Sequence, residues 1–235
     1  MYKTYELPNG LKIIREHIGY VHSVSVGIFV KNGSRNEPRE AAGISHFIEH
    51  MLFKGTETRS ALDIAEEIDT VGGNLNAYTT KEYTCFYAKM LDENLDTALD
   101  VLADMILHPK LEESDIALEK NVVYEEIAMY EDSPEDMVHE LIMEAAWGTE
   151  SGLGASTLGT KETLSAMDAQ TLRAYMDKWY TPDNCVVAVA GNFGDDIFQR
   201  MERYFGAWKG AVRQALNYCE QYRPGCILRK KEIEQ

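Results

Sequence analysis

No apolar run in this 235-residue chain approaches the roughly 18 residues of a membrane span. The opening MYKTYELPNG has no apolar stretch of the secretory kind and no Arg- or Ser-rich transit bias, so neither a leader nor an anchor is expected. Cysteine is scarce: Cys85, Cys185, Cys219 and Cys226 are the full set, and none forms a Cys-x-x-Cys pair. A disulfide framework or paired-cysteine metal site is therefore not indicated. Cys85 and Cys185 lie in strand-like apolar runs and read as small buried hydrophobes. Cys219 and Cys226 are close enough to pair across the tail, but nothing argues for an oxidising compartment, and the expected location is the cytoplasm. Positive charge is short as well. Lys and Arg number 23 against 39 Asp and Glu, a net charge of −16. That balance disfavours nucleic acid and anionic membranes, which need a cationic excess; it suits solubility or a basic partner.

What is present is ordinary globular composition, 45% apolar and 26% charged, enough for a sizeable core and too apolar for wholesale disorder. Strands are expected over Leu11–Ile18 and over SVSVGIFVK at 23–31, where Val24, Val26, Ile28 and Val30 alternate onto one face. The pattern turns helical from Ala41 to Lys54, and again from a Ser60 cap to Val71, ended by Gly72-Gly73. Two strands follow, at 74–79 and 83–90, then helices at 94–107, 114–130 and, after Ser133-Pro134, to Trp147. A glycine-rich loop at 148–159 precedes a helix at 168–179, an apolar strand at 185–190 and a last helix at 195–205. This order predicts an α+β fold with a mostly antiparallel sheet packed against several helices.

One segment carries specific chemistry. In His46-Phe47-Ile48-Glu49-His50 the two histidines are four apart on a predicted helix, about 40° around its axis, and share a face. Two imidazoles so placed can hold one metal, and the carboxylate of Glu49 beside them can work on a metal-bound water. The order inverts the H-E-x-x-H zinc-peptidase pattern and matches H-x-x-E-H. A third ligand is sought among Glu112, Glu113, Glu119, Glu125 and Glu126. Of these, Glu119 and Glu126 stand seven apart and share a face, beside an apolar stripe of Val122, Val123, Ile127 and Tyr130.

Taken together, GISHFIEHMLFKGT, the strand Gly72-Gly73-Asn74-Leu75-Asn76-Ala77-Tyr78-Thr79, the helix ALEKNVVYEEIAMYEDSPEDMV, Leu158-Gly159-Thr160, and Tyr180, Pro182 and Asn184 before an apolar strand resemble the pitrilysin-type (M16) metallopeptidases. The likeness covers nearly the whole chain and is similar to the bacterial relatives of the mitochondrial processing peptidase. It implies a zinc-dependent endopeptidase that takes extended peptides, with Zn2+ on His46, His50 and Glu126. It also implies Glu49 as the general base and Glu119 as a second acidic residue that assists proton movement or orients a ligand. The strand at 74–79 becomes a sheet edge to which substrate pairs, with Asn76 and Ala77 meeting its backbone.

The same resemblance implies two homologous halves around a chamber, of which this chain is the catalytic N-terminal one. Residues 1–210 are expected to form that half, and 211–235 the linker and the start of a C-terminal half. The implied partners are a peptide substrate, the missing half or a homologous subunit, and a second copy through self-association, with no nucleic acid and no membrane. Activity of the isolated half is expected to be weak. Two other classes stay open: a non-catalytic binding or assembly subunit of the same fold, and a metal-dependent hydrolase of another bond type.

Overall fold

Six strands form one sheet in the computed structural model, which describes residues 2–211 and 221–230. They are β1 (Lys3–Glu6), β2 (Lys12–His17), β3 (Ser23–Val30), β4 (Asn74–Thr79), β5 (Thr84–Leu91) and β6 (Cys185–Gly191), in the order β1-β2-β6-β3-β5-β4. β2 and β6 run parallel, and every other neighbouring pair is antiparallel. The expected α+β class with a mostly antiparallel sheet is what forms. Eight α-helices accompany it among the described residues: α1 (Ile44–Leu52), α2 (Ala61–Thr70), α3 (Leu95–Leu107), α4 (Glu113–Asp132), α5 (Pro134–Trp147), α6 (Lys161–Ser165), α7 (Ala169–Trp179) and α8 (Ile197–Phe205).

Alternation decides which face is covered. Val24, Val26, Ile28 and Val30 of β3 are buried in one core with Phe86 and Ala88 of β5 and with Val187 and Val189 of β6. Against them lie Phe47, Ile48, Met51 and Leu52 of α1 and Leu99, Leu102 and Ile106 of α3. Each such side chain contributes about 1.5–3 kcal/mol by leaving water. α1 is thus pinned on its apolar side while its histidines occupy the other side. Cys85 and Cys185 are buried and unpaired, as expected, whereas Cys219 and the tail at 212–220 and 231–235 lie outside the described residues.

Four local expectations need correction. The histidine helix begins at Ile44 rather than Ala41, because Gly43 takes a left-handed φ of 91° and Arg39–Ala41 form a separate 3-10 turn. β1 was not expected, since KTYE is exposed along its whole length and shows no buried alternation. α6 is a five-residue helix, too short for a periodic signal, capped by Thr160 through the Thr163 N–H. On α4, Val122 is half exposed and leaves the apolar stripe to Ile116, Val123 and Ile127.

The entry to α1 is fixed by a carboxylate. Glu37 Oε2 accepts the Gly43 N–H at 2.6 Å and Oε1 accepts the Ser45 N–H at 2.8 Å, filling donors that a helix start leaves open. Burial pushes the Glu37 carboxyl up to about 7, and these two main-chain bonds only partly offset it.

Candidate metal centre

α1 packs against the end of the sheet at β4 and β5, and α4 crosses it on the histidine side. His46 and His50 stand one turn apart with ring centroids at 4.6 Å. Glu126 comes from α4: its Oε2 lies 3.6 Å from His46 Nε2 and 3.5 Å from His50 Nε2. His46, His50 and Glu126 are a group whose donor atoms all lie within 4.8 Å of one another.

Those separations are informative. Hydrogen bonds of N–H to O run about 2.7–3.2 Å, so 3.5 and 3.6 Å are too long for good ones. Around a tetrahedral zinc with ligand bonds of about 2.0–2.2 Å, ligand atoms stand about 3.3–3.6 Å apart. Two imidazole nitrogens and one carboxylate oxygen are also a donor set that zinc takes in catalytic sites. The residues present therefore fit a zinc ion.

The protonation of His46 suits the same fit. Burial pulls the His46 imidazole down to about 4, and the neighbouring His50 adds to the effect. A neutral ring with a free lone pair is the form a metal requires. Burial also acts to lower His50, but the hydrogen bond to Glu119 and the charges of Glu119 and Glu126 outweigh it and raise that ring to about 9, which favours the charged form that a bound metal would have to displace. Glu126 is held below the ordinary carboxylate range, chiefly by the His50 imidazole. Glu49 is pushed upward by burial, although Thr79 Oγ1 donates to its Oε2 at 2.5 Å and works the other way.

Glu119 sits one face-repeat before Glu126 on α4 and is buried. Its Oε1 takes His50 Nδ1 at 2.8 Å, a carboxylate–histidine contact of the kind that fixes a metal-ligating ring. Glu125 is exposed to solvent on another side of α4. Asn76 and Ala77 lie on β4, the last strand of the sheet, whose one strand neighbour among the described residues is β5. There Asn76 is exposed, and its Oδ1 accepts the Ala77 N–H at 2.8 Å. The structure so gathers His46, Glu49, His50, Glu119 and Glu126 in one place, with the strand of Asn76 and Ala77 alongside. Thr79 and Lys54, which contact Glu49 and Glu119, were not singled out from sequence. Both lie within the quoted motifs, but a threonine and a lysine there carry no metal-ligand signature.

The model for insulinase, peptidase family M16, matches residues 12–161. The chain belongs to the M16 peptidase family. A second model, the peptidase M16 inactive domain, matches residues 166–234. Among curated M16 relatives, the uncharacterized zinc protease YmxG of Bacillus subtilis is 48% identical over 235 residues, covering 100% of this chain and 57% of its own length. An uncharacterized zinc protease of Mycobacterium leprae is 46% identical over 202 residues, 86% of this chain and 45% of its own. This M16 chain thus spans about half the length of the curated relatives it matches. A Helicobacter pylori protease of known structure superposes with a TM-score of 0.86 at 23% identity, over 95% of this chain and 54% of that one. The periplasmic protease PqqL of Escherichia coli gives 0.83 at 20% identity, over 92% and 25%. At such identities these two show the fold alone. Among the described residues no helix is long and apolar enough to cross a membrane.

Proposed function

We propose that residues 1–210 form the zinc-binding, catalytic half of an endopeptidase that hydrolyses extended peptides. The observation that carries this reading is the convergence of the donor atoms of His46, His50 and Glu126 within 4.8 Å of one another, with Glu126 Oε2 at tetrahedral edge distance from both imidazoles and Glu49 on the same helix as the histidines. His46, His50 and Glu126 would hold the zinc ion, which when bound would lower the pKa of a water toward about 7 and polarise a carbonyl. Glu49 is the general base: with Oε2 taken by Thr79, its Oε1 is the oxygen left to receive a proton and pass it to the leaving amine. Its upward-shifted carboxyl brings it nearer to the pH at which such a base is effective. Glu119 keeps the His50 ring oriented through Nδ1. The substrate lies along β4 as an added strand, meeting Asn76 and Ala77, and main-chain pairing asks little of its sequence.

The remaining length of the relatives supplies the rest of the enzyme in this reading. Residues 211–235 lead toward a C-terminal half, which forms the opposite wall of the cleft and orients the peptide. Orientation alone is worth several kcal/mol of barrier, so the 235-residue chain is expected to be weakly active, and to self-associate through the surface that the other half would cover. The free buried cysteines Cys85 and Cys185 suit a reducing cytoplasm.

The test has two arms. Zinc content is measured by atomic emission, with about one ion per chain expected. Cleavage of a quenched peptide is then followed for the chain alone, the chain mixed with its C-terminal half, and the full-length protein, each with and without chelator. Chelator-insensitive cleavage, or no cleavage by zinc-loaded full-length protein, would overturn the reading.

A further inference from the structure

Lys54 follows His50 by four residues, just beyond the end of α1, and stays on the histidine side of that segment. Its Nζ meets Glu119 Oε2 at 2.5 Å, while His50 Nδ1 meets the other oxygen, Oε1, at 2.8 Å. One short stretch of chain therefore grips the Glu119 carboxylate at both oxygens. Glu119 is only 5% exposed, and a carboxylate that deep is costly unless an opposite charge pairs with it. Lys54 provides that charge with a side chain that is itself still about one-third exposed.

The consequence reaches the metal position. A ligating imidazole aims one nitrogen well only when the other is held, and His50 is held at Nδ1 by Glu119 alone among the described hydrogen bonds. A carboxylate bonded at one oxygen pivots about that bond; bonded at two, it is fixed. We propose that Lys54 is a positioning residue of the metal centre: by holding Glu119 Oε2, it keeps Glu119 Oε1 on His50 Nδ1 and aims His50 Nε2 at the metal. Lys54 touches neither metal nor substrate in this role. The inference rests on the zinc reading above and goes beyond it by adding a residue that acts through Glu119.

The experiment reads zinc affinity, not turnover. Zinc is titrated into the metal-free chain against a chromophoric chelator, for the wild type, Lys54→Met, Lys54→Arg, Glu119→Gln and the Lys54→Met/Glu119→Gln double variant. Circular dichroism checks that each is folded, and Lys54→Gln replaces Lys54→Met in the cycle should the latter not fold. Removing a partner outside the ligand set costs metal sites 10–100-fold in affinity as a rule, so Lys54→Met is expected to bind about tenfold more weakly. Lys54→Arg, which keeps the charge, should recover most of that loss. Because Lys54 acts through Glu119, its removal from Glu119→Gln should cost less than about twofold more. Unchanged affinity in folded Lys54→Met, or losses that multiply fully in the double variant, would overturn the inference and leave the zinc reading intact. A wild-type chain that binds no zinc would overturn both.

Discussion

Thr79 Oγ1 donates a 2.5 Å hydrogen bond to Glu49 Oε2, so the last residue of the edge strand is tied to the carboxylate beside the two histidines. The edge strand and the Glu49 carboxylate are therefore not independent. Hydrogen bonds to charged groups are worth about 1.5–3 kcal/mol net. Thr79→Val keeps the volume and loses the donor, and should lower kcat of the full-length enzyme about tenfold with zinc content unchanged. Steady-state kinetics on a quenched peptide, with metal analysis alongside, check this; an unchanged kcat would mean that Glu49 keeps its place without Thr79.

The proposed metal ligands and the proposed base should separate cleanly. His50→Ala removes a donor atom from the group formed with His46 and Glu126, and should lose most of the bound zinc. Glu49→Gln leaves all three donors in place, so it should hold zinc while cleavage by the full-length protein falls by orders of magnitude. Stripping wild-type metal should also lower Tm, because binding to the native state alone adds about 2.7 kcal/mol at a hundredfold excess over Kd. Full zinc occupancy in His50→Ala would sink the ligand assignment.

Much of this was legible in the sequence for simple reasons. Helical periodicity brings residues four and seven apart onto one side, so the pairing of His46 with His50 and of Glu119 with Glu126 needs no tertiary information. The resemblance implied Glu126 as the third ligand; Glu125 breaks that seven-residue repeat, and the structure turns it to solvent. What stayed hidden depends on how the chain turns between elements and on contacts between distant segments. Glu37 reaches the start of α1 by a turn of chain, and Thr79 meets Glu49 only because β4 is laid against that helix. Strand partners were equally invisible: β2 and β6 lie far apart in sequence, and alternation says which face is buried, not which strand is adjacent. β1 has no apolar face to announce it, and Val122 shows that an apolar residue on a helix can still face water.

Gly43 is the hinge point of the entry to α1. Its φ of 91° is left-handed, and a Cβ there would stand 2.6 Å from the Leu158 carbonyl oxygen, a backbone atom with little freedom to move. A side chain in that conformation costs about 1–3 kcal/mol before any clash is counted. Gly43→Ala should therefore lower Tm by roughly 2–12 °C, at about 2–4 °C per kcal/mol for a domain of this size. Because His46 follows within one turn, zinc affinity should fall with it. A thermal melt and a metal titration suffice, and an unaltered Tm would show that the Leu158 segment yields.

Glu37 gives the stability of this fold a pH dependence of definite sign. Its folded carboxyl lies at about 7, raised by burial from an ordinary value near 4.5. The fold therefore holds the protonated form more readily than the unfolded chain does. The contribution from this group is fully present below the unfolded value and is lost as pH rises through the folded one, since the native state then has to carry a buried carboxylate. Glu37→Gln removes the titration. It also gives up one of the two acceptors for Gly43 and Ser45, a roughly constant penalty at every pH. The informative quantity is the difference in Tm between Glu37→Gln and wild type, measured from pH 5 to pH 8. It should move in favour of the variant as pH rises, with most of the change between about pH 5 and pH 7. A difference that is flat, or that runs the other way, would mean that the two main-chain N–H donors of α1 stabilise the charged Glu37 enough to cancel the cost of its burial.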